Sequence, residues 1–432
     1  MAKQLATEMA PPFVLVAHYF IAGAIFYTIT SFLLPFYAGE LNSFFLSSAI
    51  ASLMHLYLLG FIMMIIFGAM YQLVPVVLEI PIFSKDFAYI QFYLFVAGIA
   101  VFSFALGVPG YIKLLPYGAM MMYISMLIFI VNVFLTYRRI ELWSITAKFI
   151  LVSNVFLLIG VSIGFYMALD LIYGFGIDLV HMVTLHISAT IVGYILMTIM
   201  GIGMILLPMF SLSHGFSEKS INAAFYTIIA GLVLFISSIF IDIKAVKYLG
   251  VALIALSVVL ALYQMWLIFK GRIRKQNDFW AKNMIASFFS LILSIAILVV
   301  AILQNSQQLY MLFGFMLFFG FFVFIIVGHI YKILPFLVWY QRYSPLVGKI
   351  KVPMLNDMVK EKVADIQFWI TLVGVILCSI SILTKIESLF VIGALLMAVA
   401  TLLVIYNIYY TLVYGLDELK RYNKEKEKNG SN

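Results

Sequence analysis

The sequence predicts an all-α polytopic membrane protein with twelve transmembrane helices, and three observations carry that prediction. Of its 432 residues, 65% are hydrophobic and only 10% charged, with a mean hydropathy of +1.14, a balance outside the range of water-soluble domains. Twelve apolar runs reach the roughly 20 residues that a helix needs to cross the hydrocarbon core of a bilayer. The segments between them are short and polar, which leaves room for no soluble domain.

The first run, residues 12–38, is too long and too far into the chain for a cleaved signal peptide and counts as helix one. Helix two covers 46–77 and contains MHLYLLGFIMMIIFGAMYQLVP, an uncharged stretch with one histidine, two glycines and a closing proline. Helices three and four, 87–106 and 112–137, flank the turn-forming GVPGY; helix five, 145–171, follows the basic Arg138-Arg139. Helix six spans 178–209, and the loop Ser213-His214-Gly215 reads as a solvated turn before helix seven at 219–242. Helices eight to twelve occupy 245–270, 279–302, 308–340, 362–384 and 386–414. Residues 415–432, ending RYNKEKEKNGSN, form a polar cytoplasmic tail whose composition predicts disorder.

Lysine and arginine resist translocation and collect in cytoplasmic loops. With both termini inside, 21 of the 26 Lys and Arg fall in cytoplasmic segments, among them Lys270, Arg272, Arg274, Lys275, Arg342, Lys349 and Lys351. Lys113, Lys244, Lys247 and Lys385 fall outside, and Lys332 lies within helix ten, close enough to its inner end to snorkel. The net charge of +8 therefore describes topology and gives no argument for nucleic acid. The single cysteine, Cys378, excludes an internal disulfide, a Cys-rich metal site and thioether attachment of a c-type haem.

Helix two recurs. Gly60, Gly68 and Pro75 are matched by Gly193, Gly201 and Pro208 on helix six and by Gly320, Gly328 and Pro335 on helix ten, always as G-x7-G-x6-P. All three lie on even-numbered helices and cross the membrane in one direction. The chain thus reads as three parallel four-helix repeats, 12–137, 145–270 and 279–414, around a pseudo-threefold axis, unlike the inverted repeats or two halves common in secondary transporters. Tyr71 and Tyr331 share an offset four residues before their prolines.

Five of the six histidines, His18, His55, His181, His186 and His329, fall within predicted spans, where an ionisable side chain is costly and points to function. Relative to the repeat prolines, His55 lies at minus 20, His186 at minus 22, His181 at minus 27 and His329 at minus 6. At about 100° per residue, His55, His181 and His329 share one direction, whereas His186 lies about 160° away on the glycine side. A regular helix then keeps His181 and His186 from binding one ion together. His55, His181 and His186 belong to the outer half of the membrane, and His18 and His329 to the inner half. Without thiolates, and with Glu79, Asp170 and Asp178 only near helix ends, a buried centre would use imidazole, which suits haem iron, copper and zinc.

These features resemble subunit I of the heme-copper oxidase superfamily, a twelve-helix protein with pseudo-threefold symmetry. In that family helix two begins with a histidine ligand of a low-spin haem and ends in Leu-Val-Pro, as His55 and Leu73-Val74-Pro75 do here. Tyr71-Gln72 and Glu79 are nearest to the nitric oxide reductase branch. Gly328-His329 and Pro335 resemble the inner end of the family's helix ten, and His186, Gly193, Gly201 and Ser213-His214-Gly215 resemble NnrS-type nitric-oxide-response membrane proteins. The chain departs from the family's reductases at two places. Phe313-Gly314-Phe315 stands where helix ten carries His-x-His, and helix seven, INAAFYTIIAGLVLFISSIF, has no copper-binding histidines. The conventional binuclear site is therefore not expected, and no catalytic residue is assigned.

The resemblance implies a membrane haem-binding protein that transfers electrons or handles O2 or NO, with haem b and, in addition, copper as candidate cofactors. His55 is the ligand it carries over. His186 or His181 is its expected partner from depth, and His186 fits better because its offset from the proline is nearly that of His55. His18 and His329 would form a second, inner site. Expected partners are the lipid bilayer, an electron donor such as a quinol or cytochrome, and a respiratory subunit; the expected location is a bacterial inner membrane. Two other readings fit the same composition: a small-solute transporter or channel without haem, and a partner in respiratory assembly or metal delivery.

Overall fold

Short polar side chains set where the helices begin. Ser47, Ser84, Ser144, Asp178, Asp278 and Ser306 sit in extended backbone just before a helix, and each accepts a hydrogen bond from the N–H three residues on. The computed structural model describes residues 11–42, 47–241, 243–273, 275 and 277–416. Arg274 and all but the first two residues of the 415–432 tail lie outside the described residues.

Twelve helices are long and apolar enough to cross a membrane: α1 (Phe13–Glu40), α2 (Ser48–Val76), α3 (Lys85–Gly107), α4 (Ile112–Tyr137), α5 (Ile145–Tyr173), α6 (Leu179–Ser211), α7 (Lys219–Ile241), α8 (Lys244–Lys270), α9 (Phe279–Gln304), α10 (Gln307–Arg342), α11 (Glu361–Thr384) and α12 (Glu387–Val413). The protein is all-helical and multi-pass, as its hydropathy predicts. Its contacts divide it into two units, Met1–Phe26 with Ser43–Gln276 and Tyr27–Asn42 with Asn277–Asn432, so the division falls within α1.

In the first unit, the two repeat glycines of α2 and of α6 press against the preceding helix. A Cβ added at Gly60 would lie 2.6 Å from Phe26 Cγ, and one at Gly68 would lie 2.7 Å from Tyr19 Cβ. On α6, Gly193 and Gly201 meet Phe156 and Phe149 of α5, each at 2.6 Å. In the second unit, Gly320 and Gly328 of α10 meet Ser290 at 3.0 Å and Asn283 at 2.8 Å on α9. In every case the two contacted residues are seven apart, which is two helical turns. At Gly60, Gly68, Gly193, Gly201 and Gly328 the neighbour's side chain occupies the place of a Cβ, while the contact at Gly320 is looser.

The hairpins α3–α4, α7–α8 and α11–α12 use glycine in a second way. Gly118 faces the backbone N of Phe102, Gly231 that of Ile254, and Gly374 the carbonyl of Gly393, at 2.5, 2.8 and 2.7 Å from an added Cβ. Such backbone approach is how helices gain packing energy where lipid is as apolar as the side chains.

Each of the three repeat helices contains one widened π-helical stretch: Leu58–Met63 in α2, Ser188–Leu196 in α6 and Met316–Phe322 in α10. These stretches end 12, 12 and 13 residues before Pro75, Pro208 and Pro335. All three prolines lie inside helix. The first two helices stop four residues later at left-handed Glu79 (φ 57°) and Leu212 (φ 54°), whereas α10 continues to Arg342.

Polar side chains tie down two loops. Asn132 of α4 accepts from Ser84 N at 3.0 Å and donates to Ser84 O at 2.8 Å, while Asn407 of α12 accepts from Lys360 N at 2.9 Å. Lys332, expected to snorkel, is instead buried. It donates to Asp278, the cap of α9, at 2.8 Å.

Candidate cofactor site

His55 and His186 are each the eighth residue of their helix, counted from Ser48 and Leu179. Seven steps of about 1.5 Å place both about 10 Å along the helix axis from its start. The fold brings them together: their ring centroids are 6.2 Å apart and their planes 17° from parallel. Both rings are half-buried.

Their hydrogen bonds fix which nitrogen faces outward. His55 Nδ1 is 2.7 Å from the carbonyl of Ala51, one turn earlier on α2. His186 Nδ1 is 2.8 Å from the carbonyl of Gly160, across on α5. A carbonyl oxygen only accepts, so Nδ1 carries the proton in each ring and Nε2 keeps its lone pair. This is the arrangement that second-shell carbonyls impose on metal-binding histidines.

The spacing fits two imidazoles on one ion. A metal–nitrogen bond of about 2.0 Å plus about 1.1 Å from nitrogen to ring centre, taken twice, gives about 6.2 Å for ligands on opposite sides of a metal. Ordinary ring contacts also fall between about 4.5 and 7 Å, so the distance alone does not select this chemistry. The two Nδ1–carbonyl bonds leave both Nε2 atoms with their lone pairs, an arrangement that His18 and His329 share. Among the described residues no group of three or more His, Cys, Asp or Glu is placed to hold a metal. Two protein ligands suffice for the axial positions of a haem, whose ring supplies the other four, while a tetrahedral zinc or copper site needs more.

Neighbouring residues shape the pair. Phe102 of α3 lies 4.9 Å from the His55 ring. Gly164 of α5 faces His186, where a Cβ would come 2.7 Å from Cε1. Thr190 Oγ1 donates to the His186 carbonyl at 2.6 Å, and Ser188 Oγ to that of Thr184 at 2.7 Å, at the start of the π stretch where regular backbone bonding is interrupted. π-helical turns often occur at functional sites, yet α10 has one with Phe313 and Phe315 nearby instead of histidines. The widened turn therefore belongs to the helix form that α2, α6 and α10 share, and the histidines are the specific addition.

The remaining histidines have surroundings of their own. His181 is exposed at the start of α6, with Nδ1 2.7 Å from Asp178 Oδ2. Asp178 also caps the helix by accepting from His181 N at 3.1 Å, which, with the charge of the imidazole, holds its carboxyl below the usual aspartate range. His18 bonds through Nδ1 to Val14 O at 2.6 Å and meets Tyr89 and Phe92 edge-on. In the second unit, His329 bonds to Ile325 O at 2.7 Å and lies edge-on to Trp280. His214 is exposed in its loop.

The sequence reading passed over Gly160, Gly164 and Phe102. The signal for the first two was present as G-V-S-I-G, a GxxxG spacing that marks close helix approach. Phe102 carries no such mark among the 40 phenylalanines. Comparison with protein-family models and with curated proteins finds no match to this chain.

Proposed function

We propose that this membrane protein binds a b-type haem between α2 and α6, with His55 and His186 as its two axial ligands, and that it transfers electrons. The observation that carries this reading is the 6.2 Å, near-parallel histidine pair in which each Nδ1 is engaged by a backbone carbonyl. His55 and His186 would hold the haem through their Nε2 atoms, and the group would supply one-electron exchange. The protein's own residues hold the two rings at one spacing and fix their tautomers, with Phe102 against His55 and Gly164 against His186. Two histidines available to one group favour electron transfer over O2 or NO chemistry, since both would be engaged in holding it.

The resemblance to the heme-copper oxidase and nitric oxide reductase fold supports this reading, with α6 in place of α10 as the source of the second ligand. A pseudo-threefold arrangement of three four-helix repeats is supported by the recurring glycines, the π stretches and the glycine-lined hairpins. The distribution of Lys and Arg supports cytoplasmic termini, with the histidine pair toward the outer face of a bacterial inner membrane. A quinol or a cytochrome would be the electron donor. Copper is the alternative occupant, and it would need ligands beyond the two imidazoles.

The test is the absorption spectrum and iron content of the purified full-length protein expressed with haem available. Wild type should show a low-spin Soret band that His55→Ala and His186→Ala each abolish and His181→Ala retains. Absence of haem in wild type, or an unchanged band in His186→Ala, would overturn the assignment. Solute flux in proteoliposomes without bound haem would favour the transporter reading.

A further inference from the structure

We propose that α5 is the positioning element of the axial pair: the Gly160 carbonyl selects the tautomer of His186, and the bare face of Gly164 sets the plane of its ring. This inference rests on the reading of His55 and His186 as haem ligands. The two histidines are held differently. His55 bonds to the carbonyl of Ala51 within its own helix, so its hydrogen bond needs no second helix. His186 reaches across to Gly160 on a different helix, 26 residues earlier in the chain.

Gly164 lies one turn beyond Gly160 and touches the same ring. A Cβ there would come 2.7 Å from Cε1, 3.0 Å from Nδ1 and 3.6 Å from Nε2 of His186. All three contacted atoms belong to the imidazole, so a Cβ there would turn the ring itself. At Gly160 itself, a Cβ would meet Thr190 Cγ2 at 2.5 Å, and Thr190 holds the His186 carbonyl. The G-x3-G face thus admits the step of α6 from His186 to Thr190 and fixes the azimuth of the ring. Its consequence is the 17° between the two imidazole planes.

That angle has a spectroscopic signature. In a low-spin ferric haem, nearly parallel axial imidazoles split the iron d orbitals strongly and give a resolved rhombic electron paramagnetic resonance spectrum. Crossed planes give one strongly shifted, broad feature. Gly164→Ala should therefore move the spectrum from rhombic toward the strongly shifted form and shift the reduction potential, while iron content is retained. Gly314→Ala, in α10, makes the same substitution where an added Cβ meets only Phe318 at 3.9 Å; it should leave the spectrum and the potential as in wild type.

The experiment records spectra and potentials of the full-length haem-loaded wild type and both variants. A rhombic low-spin wild type with an identical Gly164→Ala spectrum and potential would overturn the positioning role and leave the ligand assignment standing. A wild type with no low-spin signal would overturn both. If Gly164→Ala does not accumulate as folded protein, nitrogen-15 resonances of His186 in cofactor-free wild type decide the matter: a proton on Nδ1 is expected, and a proton on Nε2 overturns the proposal.

Discussion

Replacing the first glycine of each repeat by alanine should give unequal losses, because the three positions face different atoms. At Gly60 the new Cβ would lie 2.6, 2.8 and 2.9 Å from Phe26 Cγ, Cβ and Cδ1, and at Gly193 it would lie 2.6 Å from Phe156 Cβ and Cγ. These are the root atoms of a ring, which cannot swing away without moving the helix that carries it. Overpacking of this kind costs about 1–3 kcal/mol. Alanine returns roughly 0.5–1 kcal/mol through its better helix propensity. The net loss at Gly60 and Gly193 should be about 1–2 kcal/mol. At Gly320 the nearest atoms are Ser290 Cβ at 3.0 Å, Ser290 Oγ at 3.1 Å and Met316 Cε at 3.4 Å. The one root contact, Ser290 Cβ, is looser than those at Gly60 and Gly193, and the hydroxyl and thioether end can shift, so strain and propensity should cancel to about zero. The assay is reversible unfolding in mixed micelles, monitored by intrinsic fluorescence. Equal losses at all three positions, or the largest loss at Gly320, would refute the reasoning that side-chain roots decide the cost.

The Asp278–Lys332 pair should respond asymmetrically, because Asp278 Oδ1 also caps Ala281 N at 2.9 Å while Oδ2 receives Lys332 Nζ at 2.8 Å. Asp278→Asn, which leaves a lysine only 9% exposed without its counter-charge, should cost about 1–3 kcal/mol, and Lys332→Met less; equal costs in the same unfolding assay would count against this. At the start of α6, the carboxyl of Asp178 is held low by the His181 N–H and ring, so the carboxylate stabilises the helix end above the unfolded aspartate pKa, and that contribution disappears as pH falls through the lowered folded value. Amide exchange at residues 181–183 should accordingly quicken as pH is lowered through that range, after correction for intrinsic rates, and Asp178→Ala should remove the dependence. Persistence of the dependence in the variant would show another group to be responsible.

The helices were legible because a bilayer leaves so little freedom. A chain this apolar must satisfy its backbone within each span, so the apolar runs alone located the helices. The recurring glycines were equally visible as spacing. What each glycine faced was not, since Phe26, Phe156 and Ser290 lie on other helices at unequal distances along the chain. The π stretches also escaped the reading, because they leave no composition signal.

The site shows the same division. His55 stood out as an ionisable group in an uncharged run, and depth narrowed its partner to His186 or His181. Helical phase, taken in a shared repeat frame, aligned His181 with His55 and turned His186 away. In the folded chain His186 is the one beside His55, and His181 is exposed beside Asp178. The physical reason is that two helices meet through opposed flanks, so residues that face each other across the contact need not share a phase. The sequence by itself determined a twelve-span helical membrane protein with histidines within its helices, because hydropathy and the cost of charge in lipid are local properties. Only the tertiary structure decided that α5 supplies the carbonyl and the bare glycine face that bring His186 to His55, because that choice depends on which helices touch.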